Sequence, residues 1–326
     1  MKNILAGIDI GGTKIAIATA TPDGELLDKR FLPTQTHLGP EAVFENMCRA
    51  VVEMLGDDAD KLAAIGVGSP APIDVEKGLI LSPSNLQDWD RFPIVDLLNE
   101  RFDVPVVLDN DANAAALGEF MFGAGRGCRD VLYVTVSTGI GGGIIINGEI
   151  YHGVSTGAGE IGHTVVRPDD GILCNCGLRG CLESICAGVH IARRTKERLA
   201  AGESSVIRDM LSDIEDVTAE TVVEAVRQND RLATEIWDET CRYLAIGIGN
   251  AVTLLAPEIV IVGGGISMAG ELLMEPLRRL VPRCVSMIPP EKIRIRRAEL
   301  GAESGLHGAV AIARKAYSGS HLMYAV

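Results

Sequence analysis

The stretch ILAGIDIGGTKIAIATA, residues 4–20, decides the fold. An apolar run enters paired glycines and leaves as a second β-rich run toward the turn Pro22-Asp23-Gly24. It reads as a hairpin with glycines at the bend. The pattern returns twice. VLYVTVSTGIGGGIIING (Val131 to Gly148) repeats strand, glycines, strand and a closing Asn147-Gly148 turn. EIVIVGGGIS (Glu258 to Ser267) repeats strand and glycines, then passes into a helical pattern from Glu271 to Leu280. The copies stand about 125 residues apart, which points to two related lobes, each opened by a strand–glycine unit.

Between the copies lie βαβ-like pieces. AAIGVGSPAPI (Ala63 to Ile73) is a strand running into a Pro-rich loop, and VPVVLDN (Val104 to Asn110) is a strand followed by the Ala-rich helix DANAAALGEFMF (Asp111 to Phe122). Residues Ala187 to Pro257 read as mainly helical, Arg294 to Ala298 as a late strand, and Ser304 to Tyr317 as a last helix. The alternation predicts an α/β chain. The expected division is a small N-terminal α/β lobe over residues 1–115, completed by the C-terminal helix at about 305–320. A large α/β lobe then covers 116–304, with an interlobe cleft as the expected ligand site.

Composition narrows the function. Thirty Lys and Arg against 44 Asp and Glu leave a net charge of −14, which repels phosphate backbones and anionic membranes; neither nucleic acid nor membrane is expected as a partner. Apolar residues make up 47% of the chain but aromatics only 4%, so the expected core is aliphatic. The N-terminus reaches Asp9 and Lys14 too soon for a signal peptide, and the expectation is a cytoplasmic protein with reduced cysteines. Cys48, Cys128, Cys241 and Cys284 are scattered and read as small buried hydrophobes.

Three other cysteines crowd together in EIGHTVVRPDDGILCNCGLRGCLE, residues 160–183. His163, Cys174, Cys176 and Cys181 have metal-ligand spacing, and a set of thiolates and imidazole suits tetrahedral Zn²⁺. Cys186 is the alternative fourth ligand to His163. With four protein ligands the metal is structural, which leaves Glu160 and Glu183 for another task.

An acidic chain that binds phosphate needs backbone N–H groups, and glycine lets them come close. A Walker A loop does not fit, because Gly7 precedes Gly12-Thr13-Lys14 in the wrong order, and a dinucleotide fingerprint is also missing. What remains is DIGGTK at 9–14 and STGIGGG at 137–143, two turns able to grip β- and γ-phosphates, with Asp9 holding the Mg²⁺ hydration shell. LDNDAN puts Asn110 and Asp111 at a strand end just before a helix, where Asn and Asp also serve as N-caps. A carboxylate at that edge suits Asp111 as acceptor of a proton from an attacking sugar hydroxyl.

DIGGTK, LDNDANAAALGE, STGIGGG, EIGH and CNCGLRGCLE, in that order, resemble the ROK family of sugar kinases, and within it the bacterial glucokinases. The resemblance runs from about residue 4 to residue 315. It implies the two-lobed actin-like ATPase (ribonuclease H-like) fold. It also implies ATP and Mg²⁺ as cofactors, a structural Zn²⁺, and a homodimer or homotetramer. By resemblance Asp111 is the general base. Gly68, Asn85, Asn110, Glu160, His163 and Glu183 contact or border the hexose, and Gly11, Gly12, Thr13, Lys14, Thr138 and Gly139 hold phosphates. Gly264 and Gly265 lie on the adenosine side, and His163, Cys174, Cys176 and Cys181 hold zinc. The implied reaction is ATP-dependent phosphorylation of glucose at its 6-hydroxyl. The alternatives are another hexose (N-acetylmannosamine, N-acetylglucosamine, fructose or mannose), polyphosphate as donor, or a non-catalytic sugar-sensing regulator. The family's repressors carry an N-terminal helix-turn-helix, for which this chain, opening at the phosphate loop, is expected to have no room.

Overall fold

The structure is a computed structural model, and it describes residues 2–83, 86 and 88–319. The strands in chain order are β1 (Ile4–Ile10), β2 (Lys14–Ala20), β3 (Leu26–Pro33), β4 (Leu62–Ser69), β5 (Ile73–Asp74), β6 (Leu79–Ile80), β7 (Val106–Asn110), β8 (Val131–Val136), β9 (Ile140–Ile146), β10 (Glu149–Ile150), β11 (Ile259–Gly263) and β12 (Ile295–Arg297). The helices are α1 (Pro40–Leu55), α2 (Ile94–Phe102), α3 (Asp111–Phe122), α4 (Leu182–Cys186), α5 (Gly188–Ala200), α6 (Ile207–Met210), α7 (Ala219–Arg227), α8 (Arg231–Leu255), α9 (Glu271–Leu280) and α10 (Ser304–Tyr317). The chain forms two compact units. One comprises Met1–Gly127, Gly143–Ala158 and Glu299–Val326, and the other Cys128–Gly142 and Gly159–Ala298. No helix among the described residues is long and apolar enough to cross a membrane.

The first unit is built on a sheet of order β3-β2-β1-β4-β7. β1 and β2 pair antiparallel with Ile10 opposite Ile15, so the glycines of the opening stretch do make a hairpin bend. β4 and β7 then run parallel to β1. Both faces of β1 are covered, which is why its sequence is an unbroken apolar run. Ile4, Ala6, Ile8 and Ile10 pack with residues of α1 and α2, while Leu5 joins Leu306, Val310 and Ala313 of α10 on the other face. On that second face the backbones are very close. A Cβ on Gly7 would sit 2.7 Å from Val310 N, and one on Gly308 would sit 2.1 Å from the Ala114 carbonyl oxygen. Glycine at these points lets α10 lie against both β1 and α3.

The expected boundary after residue 115 would cut α3 in two. α3 stays whole within the first unit because Glu119 is fully buried and accepts from the N–H groups of Ala124, Glu299 and Leu300 and the Ser304 hydroxyl. The end of β9 joins the same unit, since a Cβ on Gly143 would meet Ala116 Cβ at 2.5 Å.

The second unit has the order β9-β8-β11-β12, with β8, β11 and β12 parallel. β11 is buried on both faces and leads through Gly264, at φ +81°, toward α9, whose bounds are those read from the sequence. The 25-residue α8 is the central helix here, and Trp237 on it donates to the Leu272 carbonyl. Two of the four scattered cysteines are buried as expected, Cys48 and Cys241. Cys128 is half-buried, and Cys284 is exposed in the turn after α9, so that reading is corrected for these two.

Candidate functional site

In the first unit the carboxyl ends of three parallel strands converge. Register places Asp9 beside Gly68, Gly68 beside Asp109, and Ser69 beside Asn110. In-register residues of parallel strands point to one face, and the face of Asp9, Gly68 and Asp109 carries α3 and α10. Gly68 leaves room between the carboxylates, since a Cβ there would lie 3.3 Å from Ala114 Cβ and 3.6 Å from Asp9 Oδ1. The α10 N-terminus closes over Asp9, because a Cβ on Gly305 would be 2.4 Å from Asp9 Oδ2. Burial, then the negative charge of Asp111, push the Asp9 carboxyl up to about 6, with Lys14 opposing. Asp9 and Asp111 therefore share one electrostatic neighbourhood, as two carboxylates around a cation do.

The bend after Asp9 is held by its own backbone. Gly11 N–H donates to the Lys14 carbonyl, and the Thr34 hydroxyl donates to the Gly11 carbonyl. Gly12 is half-buried, Thr13 and Lys14 are exposed, and the Lys14 ammonium lies 4.8 Å from the centroid of the Phe31 ring. Asn110 is the N-cap of α3, its side-chain oxygen accepting from Ala112 N–H at 2.9 Å. The Asp111 carboxylate accepts from the same N–H at 2.8 Å and is exposed. Asn85 lies outside the described residues.

The second unit holds the rest. A hairpin-like loop brings His163, Cys174, Cys176 and Cys181 together, their ligand atoms all within 4.8 Å of one another. The backbone does this with Cys174 N–H to Leu178 O, Gly177 N–H to Cys174 O and a Leu173–Arg179 bridge. Cys176 and Cys181 Sγ are 3.6 Å apart, and Cys174 Sγ is 3.7 Å from His163 Nδ1. Tetrahedral zinc separates its S and N ligands by roughly 3.5–3.8 Å, so these residues fit the ion. Burial first, then the neighbouring thiols, push Cys181 up to about 12; a bound cation offsets that cost. Cys186 is not in the cluster; it is buried on α4 and donates to the Thr240 carbonyl, which leaves His163 as the fourth ligand candidate.

The two glutamates that bracket the loop differ. Glu160 is exposed, with Oε2 3.9 Å from His163 Nε2, so one imidazole faces the thiols with Nδ1 and a carboxylate with Nε2. Glu183, in the first turn of α4, accepts from Ile140 N–H at 2.9 Å. It thus braces the second glycine turn, and a Cβ on Gly139 would stand 2.7 Å from its Oε2. The sequence offered no sign of that tie. α4 in turn is held by Arg194, which donates to Ile185 O, Glu239 and Thr240.

The same unit contains a cavity of about 570 Å³, in the size range of ligand pockets. Thr138 and Gly265 both line it, so two of the nucleotide-loop candidates meet in one place; Gly264 turns the chain behind Gly265, and its carbonyl accepts from the Ser267 hydroxyl. Much of the wall comes from α5, α7 and the N-cap residue of α7, including Gly188, Arg193 and Thr218. These were not among the expected site residues. Both helices fall in the stretch that reads only as mainly helical, and nothing local distinguishes the residues that face a cavity.

Also unexpected is a buried cluster in the first unit. Asp109 is fully buried; its Oδ1 accepts from Asn110 N–H at 2.7 Å and Asn113 Nδ2 at 2.9 Å, and its Oδ2 lies 2.9 Å from His152 Nε2.

A family model described as the ROK family matches residues 5–316. A glucokinase of Halalkalibacterium halodurans is 38% identical over 93% of this chain and 92% of its own. A glucokinase of Thermotoga maritima is 36% identical over 97% and 98%. The crystal structure of a ROK family glucokinase from Streptomyces griseus in complex with glucose and AMPPNP superposes with a TM-score of 0.79 at 34% identity, covering 96% of this chain and 99% of that one.

Proposed function

We propose that this chain, which belongs to the ROK family, transfers the γ-phosphoryl group of ATP to the 6-hydroxyl of glucose. It is a sugar kinase with the two-lobed actin-like ATPase fold of its glucokinase neighbours. The choice of glucose rests on those relatives, one of which was solved with glucose and AMPPNP. The observation that carries the chemistry is the convergence of Asp9, Gly68 and Asn110–Asp111 at the carboxyl edge of one sheet, the edge where α/β proteins bind ligands.

Asp111 is the general base. Its carboxylate takes the 6-hydroxyl proton as that oxygen attacks the γ-phosphorus and ADP departs. Asn110, Glu160, His163 and Glu183 are assigned to the hexose, with Gly68 beside Asp9 and Asp109 at the strand ends. Gly11, Gly12, Thr13 and Lys14, with Thr138 and Gly139, are assigned to the phosphates, and the cavity at Thr138 and Gly265 to the nucleoside. That cavity is the support for ATP over polyphosphate, which has no nucleoside to place. Asp9 is the carboxylate that would hold the water shell of Mg²⁺ carried with ATP, and the ion would supply neutralisation of phosphate charge. His163, Cys174, Cys176 and Cys181 would hold a zinc ion with four protein ligands, and such an ion would fix the loop carrying His163 and the segment around Glu183.

The test is an ADP-release assay across glucose, mannose, fructose, N-acetylglucosamine and N-acetylmannosamine. The expected result is the highest kcat/KM with glucose. A higher value with an N-acetylated sugar overturns the choice of glucose, and sugar-independent ADP release with every hexose overturns the kinase reading.

A further inference from the structure

We propose that Asp109 and His152 form a buried carboxylate–imidazole pair that sets the position of the Asn110–Asp111 corner, as positioning residues for phosphoryl transfer. The inference rests on the kinase reading above. It starts from an anomaly in burial. Asp109 is one of two carboxylates among the described residues with no exposed surface, and a buried carboxylate is costly unless fully hydrogen-bonded. Its partners are specific. Oδ1 takes the peptide N–H of Asn110 and the side-chain amide of Asn113, one turn into α3. Those two bonds fix the peptide immediately before the N-cap and the first turn of the helix on which Asp111 stands. Oδ2 faces His152 Nε2 at 2.9 Å. A carboxylate offers only acceptors, so this contact puts the imidazole proton on Nε2.

His152 is 43 residues away along the chain and comes from the segment after β10. That segment is itself tied back. Tyr151 N–H donates to Ile144 O, and Ala158 N–H donates to His152 O. The histidine is nearly buried, its side chain 11% exposed. The pair therefore links a fixed loop to the strand end through one charge-assisted contact, the stronger kind of hydrogen bond. Neither residue is assigned to the sugar or the phosphates. They act through the backbone of Asn110 and the rotation of α3's first turn. A general base works only within hydrogen-bond reach of its proton, so a small error in that turn goes into kcat rather than into nucleotide binding.

The test compares His152→Ala, His152→Gln and Asp109→Asn in the full-length chain. Gln carries an amide donor that can reach Asp109 Oδ2, so it keeps the contact without the ring. The expected result for His152→Ala is a fall in kcat of roughly 10- to 100-fold, the scale for a displacement of about 1 Å, with the KM for ATP unchanged within about two-fold. His152→Gln recovers most of the loss, and added imidazole recovers part of it in His152→Ala. A kcat for His152→Ala within about two-fold of the parent overturns the proposal, and so does an equal loss in the Ala and Gln variants. A readout independent of activity separates this from the function reading. The Nε2 proton of His152 should give a downfield, slowly exchanging NMR signal that disappears in Asp109→Asn. If the parent chain phosphorylates no hexose yet shows that signal, the function reading has failed and the pair stands. If the signal is absent in the parent, the pair itself is wrong.

Discussion

Replacing Asp9 with Asn should stabilise the first unit at neutral pH while removing activity. Burial and the charge of Asp111 raise the Asp9 carboxyl from its ordinary 3.8 to about 6 in the folded chain. Between those values the folded state binds more protons than the unfolded one, so stability falls as pH rises through the window. Below 3.8 the cost is absent; above 6 it is complete and amounts to about 3 kcal/mol. Asn carries no such cost at any pH. The stability gap between Asp9→Asn and the parent should thus grow from about 1 kcal/mol at pH 4.5 to about 3 kcal/mol at pH 8. The assay is urea denaturation read by Trp89, which is fully buried in the first unit, with Trp237→Phe as a shared background. No Mg²⁺ or nucleotide is added, since a bound cation would relieve the ionised carboxylate, and no chelator, since it would strip zinc. A gap that stays flat with pH, or shrinks as pH rises, refutes the reasoning. The variant should also lose most of its Mg²⁺-ATP-dependent turnover, which marks the carboxylate as retained for function at the expense of stability.

Asp111→Asn should leave glucose binding in place and lower kcat by roughly 10²–10⁴, measured by calorimetry and steady-state rates side by side; near-normal turnover removes Asp111 from the mechanism. The purified chain should hold about one zinc per molecule by elemental analysis, the count expected of one closed four-ligand site, and Cys176→Ser should release it. Zinc loss should raise the KM for hexose first. A smaller rise for ATP is also expected, because Glu183 joins the metal loop to Ile140 N–H at the second glycine turn. Gly308→Ala should destabilise the first unit by about 1–3 kcal/mol or more, since its Cβ would fall 2.1 Å from the Ala114 carbonyl oxygen and neither helix backbone can move alone; an unchanged urea midpoint would count against that packing.

What was legible in the sequence was local. The bend at Gly11–Gly12, α3 from Asp111 to Phe122, α9 and α10 came from strand–glycine patterns and helix periodicity, both of which act within a few residues. The cluster of His163, Cys174, Cys176 and Cys181 was legible because three of the four fall within eight positions; choosing between His163 and Cys186 required knowing that α4 turns Cys186 into the interior. Contacts between distant segments were not legible. Nothing near His152 announces a buried carboxylate 43 positions earlier, and nothing near Glu183 announces the amide of Ile140. The misread Cys284 has the same origin. Val281 and Val285 flank it at a short distance and are buried, but the turn that follows α9 leaves Cys284 itself at the surface.

Within the first unit, one helix connects most of what matters. α3 begins with Asn110 and Asp111 and, two turns later, buries Glu119. Glu119 gathers the N–H groups of Glu299 and Leu300 and the hydroxyl of Ser304, which fixes where α10 starts. The start of α10 fixes Asp9 in turn, because Gly305 abuts its carboxylate. The spacing between Asp9 and Asp111 is therefore set twice. It is set once through strand register across Gly68, and once through α3, Glu119 and α10. A spacing defined by two independent routes resists deformation, and this matters for a pair of carboxylates whose mutual repulsion already raises one of them. It also explains the run of Ala and Gly in ANAAALGE and GLHGAVAIA. Small residues let two helices and a sheet approach until the backbone geometry itself determines the distance. Larger side chains would add buried area but would also let the helices slide, and Asp111 would slide with them.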